Sequence, residues 1–159
     1  MRAVVQRAVG GQVSVDGEVV GAFGGPGLVI LVGVTHSDNT AAAMALADKI
    51  YDMRLFSHEH AIAVGVELPA DASRELSAAE LKLPVLVISQ FTLYAETKKG
   101  RRPTWDQAAP RPVAEPLIDV FIQKLRDRGV DVATGRFGAD MQVSLVNDGP
   151  LTITVEVDG

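Results

Sequence analysis

Pro84-Val85-Leu86-Val87-Ile88-Ser89-Gln90-Phe91-Thr92-Leu93 passes from an unbroken apolar run into a short polar one. The apolar part is rich in β-branched residues and shows no alternation, so it predicts a strand buried on both faces. Ser89-Gln90-Phe91 follows at once. Where a strand ends and the chain turns, backbone N–H groups lose their ladder partners and need others. Leu28 to Val34 carries the same doubly buried signal.

The rest of the chain arranges itself around these strands. Met1 to Ala8 reads as extended, and Gln12-Val13-Ser14-Val15 alternates polar and apolar residues. Asp16-Gly17 supplies a hairpin turn, because a type I′ turn needs positive φ at both central positions. Glu18 to Phe23 returns from it, and Gly24-Gly25-Pro26-Gly27 breaks the pattern. Ser37 or Asp38 can cap a helix carrying Ala43, Leu46, Ala47, Ile50 and Met53 on one face. A second helix is expected after Pro112, with Val113, Leu117, Val120, Phe121 and Leu125 as its stripe and Gly129 as its stop. Met141 to Val146 and Leu151 to Val157 both alternate, with Asn147-Asp148-Gly149-Pro150 between them as a tight hairpin. The expected fold is one α/β domain over residues 1–159: a mixed, strongly twisted, barrel-like sheet with two main helices packed on it. Residues 57 to 83, rich in Ala and Glu, read as loop plus a short helix.

At 159 residues the chain can bury roughly 68–70% of its unfolded surface without a disulfide or metal staple. It has no cysteine, which removes thiolate nucleophiles and thiolate metal sites and fits a reducing compartment. The first residues lack a signal-peptide core, and Leu28 to Val34 falls far short of the ~20 residues of a membrane span. A cytoplasmic protein with no membrane partner is the expectation. The net charge of −5 argues against loose binding to DNA or other nucleic acid. Lys98-Lys99-Gly100-Arg101-Arg102 is nevertheless strongly basic. It is either a solvated loop or a set of phosphate contacts suited to one particular RNA end.

The histidines His36, His58 and His60 show neither metal-ligand nor triad spacing, and His58 and His60 read as surface-loop residues. No metal and no cofactor is expected, since Gly24-Gly25-Pro26-Gly27 also lacks the ending of a phosphate-binding loop. Hydroxyls remain. Ser89 and Thr92 have no base beside them, only Gln90, so a covalent triad is poorly supported. Two main-chain N–H groups at the strand end could instead form an oxyanion hole, or the hydroxyls could simply satisfy their own backbone.

Taken together, the chain resembles the D-aminoacyl-tRNA deacylase family. The resemblance rests on Met1 to Arg7, Val15 to Val19, Ser89 to Tyr94 with Thr97 to Pro103, Thr134 to Met141, and Asn147 to Thr152. It implies a homodimer with its sites at the subunit interface and the aminoacyl-tRNA 3′ end as substrate. A cis Gly149-Pro150 bond would enter the partner's site and exclude L-aminoacyl groups. Phe91 and Thr92 N–H groups would hold the ester carbonyl, Arg7 would fix the Gly149-Pro150 loop, and Met141 would line the pocket. The catalytic set is then Ser89, Gln90, Phe91 and Thr92, with Lys98, Lys99, Arg101 and Arg102 as RNA contacts. Glycyl-tRNA is the second substrate that the resemblance implies. Two mechanisms remain, water assisted by the vicinal 2′-hydroxyl of the terminal adenosine, or a Thr92 nucleophile. A non-catalytic RNA-end module and an esterase for small D-amino acid esters are the competing functions. Between His58 and Leu83 the chain departs from the family pattern, Arg74-Glu75-Leu76-Ser77 standing where a Met-Asn-Xaa-Ser-like stretch is expected.

Overall fold

The computed structural model describes residues 1–98 and 100–159. Strands β1 (Arg2–Val15) and β2 (Glu18–Gly33) form a long antiparallel hairpin. Its turn has φ of 52° at Asp16 and 83° at Gly17, the left-handed pair a type I′ turn requires. Then come α1 (Thr40–Asp52), β3 (Arg54–Ser57), α2 (His58–Ala63), β4 (Glu75–Ser77) and α3 (Ala78–Leu81). After them lie β5 (Val85–Ser89), a 3₁₀ turn (Phe91–Tyr94), α4 (Arg111–Asp127), β6 (Val132–Thr134) and β7 (Gln142–Glu156). The main sheet runs β6-β5-β2-β1-β7, parallel at β2-β5 and β5-β6 and antiparallel elsewhere. The α/β class with a mixed sheet is as the sequence predicts. The sheet has two edges, β6 and β7, and so is open where a barrel would close. No helix among the described residues is long and apolar enough to cross a membrane.

The apolar run at β5 explains itself in three dimensions. Val85 and Val87 face the large core with Leu46, Ile50, Phe121 and Leu125 of the long helices. Leu86 and Ile88 face the other way, into a smaller cluster with Ala8, Val13 and Val29. A strand of period two with a core on each side has no place for a polar residue, which is why alternation is missing.

Several local expectations need correction. The Gly24-to-Gly27 segment does not end a strand. It is a bulge within β2, opposite a matching irregularity between Val9 and Gly11. The α1 cap is Asn39, whose side chain accepts from the Ala42 N–H. Asp38 turns instead to the Thr35 N–H, at 2.7 Å, and to the Met1 nitrogen. Helix α4 begins at Arg111 and buries Ala114, Leu117, Ile118, Phe121, Ile122 and Leu125. Val113 is outside that stripe and exposed, because the buried face is centred one position further round the helix.

The largest correction concerns Asn147-Asp148-Gly149-Pro150. The chain does not reverse there. Both halves of β7 pair antiparallel with β1, Ala8 opposite Asn147 and Gln6 opposite Thr152. Four residues, Asp148 to Leu151, therefore stand against the single residue Arg7. The segment is an outsized bulge thrown out of one continuous edge strand, and turning the chain is not among its jobs.

Candidate active site

The end of β5 and the loop before β7 enclose a cleft of about 280 Å³. Ser89, Gln90 and Phe91 form one wall, Phe137 to Met141 another, and Val32, Val34 and Ile118 close the base. The Gln90 N–H makes the last ladder-like bond, to the Val32 carbonyl at 2.7 Å. The next two residues open the 3₁₀ turn, whose bonds begin with the Leu93 N–H to the Gln90 carbonyl. No carbonyl or side chain among the described residues accepts from the Phe91 or Thr92 N–H. That is the expected fate of the first donors of any helical turn. Gly33 permits the close packing, since a Cβ there would stand 3.0 Å from the Gln90 carbonyl oxygen and 3.1 Å from Leu93 Cβ.

Side chains brace this turn from outside. The Gln90 amide donates to Thr92 Oγ1. Arg2 donates to the Leu93 carbonyl at 2.7 Å and lies over the Tyr94 ring. Burial pushes the Tyr94 phenol up to about 12, Arg2 opposing, so the ring stays neutral. Phe91 itself is exposed and meets the edge of Trp105 at 5.8 Å between centroids. Beyond it Lys98, Arg101 and Arg102 are exposed, with no ion pair to any of them among the described residues. Lys99 lies outside the described residues.

The sequence-predicted residues fall into two groups. Ser89, Gln90, Phe91 and Met141 line the cleft, and Thr92 sits one step further on. Arg7, Gly149 and Pro150 do not line it; Gly149 and Pro150 belong to the β7 bulge, and Arg7 stands opposite it on β1. The Gly149-Pro150 bond is cis. Asn147 closes the neck of the bulge, its amide donating to the Arg7 and Leu151 carbonyls at 2.9 Å each. Arg7 Nη1 donates to the Leu55 carbonyl at 2.6 Å. Arg7 Nε lies 3.0 Å from Asp148 Oδ2, but its N–H is not aimed at that oxygen, so the contact is an ion pair without a hydrogen bond. Gly149 has φ 119°, and a Cβ there would come within 2.7 Å of Arg7 Nη2. Only glycine suits both conditions.

Sequence reading missed one member of this network. His60 is no loop residue. It belongs to α2 and places Nε2 2.8 Å from Asp148 Oδ2. That hydrogen bond is the main reason the Asp148 carboxyl is held below its ordinary range; partial burial opposes it and the Arg7 charge assists. The Ser57-x-x-His60 spacing was the available signal, since Ser57 caps α2 in a capping box with His60 in the place usually held by Glu.

Residues 4–156 match the family model for D-Tyr-tRNA(Tyr) deacylase. A D-aminoacyl-tRNA deacylase from Acidothermus cellulolyticus is 51% identical, covering 99% of this chain and 100% of its own. One from Nocardia farcinica is 54% identical over 98% and 99%. Among solved structures, a c-Myc DNA unwinding element binding protein superposes with a TM-score of 0.84 at 31% identity over the whole of both chains. A probable eukaryotic D-amino acid tRNA deacylase, at 19% identity and a TM-score of 0.80 over 98% of each chain, shares the fold. With the match running through the strand end, the cleft and the bulge alike, the chain belongs to the D-aminoacyl-tRNA deacylase family.

Proposed function

We propose that this protein hydrolyses the ester joining a D-amino acid to the 3′-terminal adenosine of tRNA and leaves the L-ester intact. The observation that carries the reading is the pair of unpartnered N–H groups at Phe91 and Thr92, beside a cleft sized for an aminoacyl group. Relatives bearing the deacylase name match across nearly the full chain and support the same substrate.

The chemistry asks little of side chains. Water attacks the ester carbonyl and the two N–H groups stabilise the oxyanion. The bond to the ribose oxygen then breaks to release amino acid and tRNA. Each aligned donor is worth about 2.7–4 kcal/mol in such a site. The vicinal 2′-hydroxyl of the adenosine orients or activates the water. A Thr92 nucleophile is the weaker alternative. Its Oγ1 accepts from the Gln90 amide, and an amide is no base. Lys98, Lys99, Arg101 and Arg102 then contact the phosphates of the acceptor end.

Chirality is read by a second copy of the chain. In a homodimer the Gly149-Pro150 main chain of one protomer enters the cleft of the other and leaves no room for an L side chain on the α-carbon. Two features support this. Gly149 and Pro150 lie away from their own chain's cleft, and the edge strand β7 that carries them exposes Val143 and Val146. Glycyl-tRNA, with no side chain to reject, is hydrolysed as well. The test is deacylation of matched D- and L-aminoacyl-tRNA by catalytic amounts of protein. Rapid loss of the D-ester alone is expected. Equal loss of both would overturn the filter, and loss of neither would leave a binding module. A D-aminoacyl ester of 2′-deoxyadenosine-ended tRNA should react far more slowly; full activity on it would remove the substrate-assisted step and point to an esterase of simpler esters.

A further inference from the structure

We propose that His60 is a positioning residue for the chirality filter, a fixed N–H donor that holds Asp148 and with it the Gly149-Pro150 main chain. The inference rests on the proposed function and adds to it a support from outside the two sequence segments that define the site.

Both ring nitrogens have defined work. The Ser57 backbone N–H donates to His60 Nδ1 at 3.0 Å. A nitrogen that accepts a backbone N–H carries no proton, so the neutral ring carries its proton on Nε2. Nε2 in turn faces Asp148 Oδ2 at 2.8 Å. The Ser57 hydroxyl also lies 2.9 Å from Nδ1 and can donate to the same lone-pair side. The ring stands edge-on to Phe56, centroids 5.2 Å apart and planes 84° apart, and Phe56 is buried in the main core. Neither a ring flip nor a rotamer change keeps these contacts. The imidazole is oriented by a helix cap and a core aromatic, and it delivers one donor to one oxygen.

That oxygen is where the bulge needs help. Asp148 to Leu151 have no β1 partner, and Asn147 secures only the neck. Arg7 approaches Asp148 as an ion pair with misdirected N–H geometry. His60 Nε2 therefore supplies the well-aimed bond in the network. Residues 54–60 thus buttress the filter from behind twice, through His60 and through the Leu55 carbonyl that takes up Arg7 Nη1.

The test compares His60→Ala and His60→Gln with the parent protein. A Gln amide can reach Asp148 as a donor, whereas Ala cannot. We expect the D-over-L ratio of deacylation to fall about tenfold in His60→Ala, the scale of one lost hydrogen bond to a charged group, and to recover in His60→Gln. Amide hydrogen exchange at Gly149 and Leu151 should quicken in His60→Ala and return in His60→Gln. In the parent protein, long-range proton–nitrogen spectra should show His60 protonated at Nε2 and unprotonated at Nδ1. A folded His60→Ala protein with parental exchange and an unchanged D-over-L ratio would overturn the proposal, as would a proton on Nδ1. Should His60→Ala not fold, Asp148→Ala removes the acceptor itself, and unchanged exchange and ratio in that variant would overturn it equally. A parent protein that hydrolyses D- and L-esters alike would sink the filter, yet the exchange data would still say whether His60 holds the bulge.

Discussion

The two halves of the site are built from opposite materials. The Ser89-to-Tyr94 end grows out of β5, whose side chains are buried on both faces, and its functional groups are main-chain N–H groups. The Asp148-to-Leu151 bulge hangs from an edge strand. Arg7, His60, Asp148 and Asn147 hold it through partly exposed polar contacts. An apolar scaffold fixes position through packing that fails as a whole, whereas a polar network can be loosened one bond at a time. Damage to the first half should therefore cost folding or rate, and damage to the second should cost selectivity while the protein stays folded.

The largest effect belongs to the scaffold. Leu86, on the cleft-bearing strand β5, is fully buried, and Leu86→Ala should lose about 2–5 kcal/mol of stability. A denaturant titration reads that loss directly. The molecules that remain folded should keep the parental D-over-L ratio, and a changed ratio would break the separation between the two regions. Gly149→Ala should do the reverse. Its Cβ would collide with Arg7 Nη2 at a φ that L-residues avoid. A displacement near 1 Å is enough to change a rate by about 100-fold, here by admitting the L-ester and so lowering the D-over-L ratio. The denaturation midpoint should move less than in Leu86→Ala, since strain of this kind amounts to about 1–3 kcal/mol. A parental D-over-L ratio in Gly149→Ala would mean that the bulge has no part in the filter.

Arg2 sharpens the contrast on the rate side. Arg2→Ala removes the hydrogen bond to the Leu93 carbonyl and the cover over Tyr94. One such bond is worth about 1 kcal/mol, so kcat/KM on the D-ester should fall roughly fivefold. The D-over-L ratio should not change, because Arg2 touches no residue of the Asp148-to-Leu151 bulge; its other partner, Glu156, lies at the far end of β7. Steady-state kinetics on matched esters decides between a pure rate effect and a mixed one.

The same contrast explains what could be read from the sequence. The β5 half was legible because burial on two faces writes itself as an uninterrupted apolar run, and the turn at Asp16-Gly17 because its residue types are those that tolerate positive φ. The bulge was misread for a physical reason. Asn, Asp, Gly and Pro favour any departure from extended backbone, so composition alone cannot tell a chain reversal from four residues looped out of a continuing strand. Only the pairing of both halves of β7 with β1 separates them. Likewise, Val113 sits at helical spacing yet lies outside the stripe, since spacing sets the period and tertiary contacts set its phase. His60 was hidden because its partner lies 88 residues away and no local pattern encodes that distance. The resemblance to a known family linked Arg7 to Gly149-Pro150, which do meet at the bulge, and named Met141, which lies in the cleft; local periodicity links none of them.

The smallest predicted effect isolates a single bond in the polar half. In the folded protein Asp148 titrates below its ordinary value of 3.8, chiefly through the His60 hydrogen bond and secondarily through the charge of Arg7. A carboxylate with a depressed folded pKa contributes stability above its unfolded value and loses it as the pH falls through the folded one. Carbon-detected titration of Asp148 should thus place its midpoint below 3.8 in the parent protein. His60→Ala should bring that midpoint up, and Arg7→Ala should raise it less, because the hydrogen bond outweighs the ion pair. The part of the acid limb that Asp148 contributes should shrink in His60→Ala, because it spans only the interval between the folded and unfolded values. If Arg7→Ala moved the midpoint further than His60→Ala, the arginine would be the principal holder of Asp148, and the helix α2 buttress would be a secondary contact.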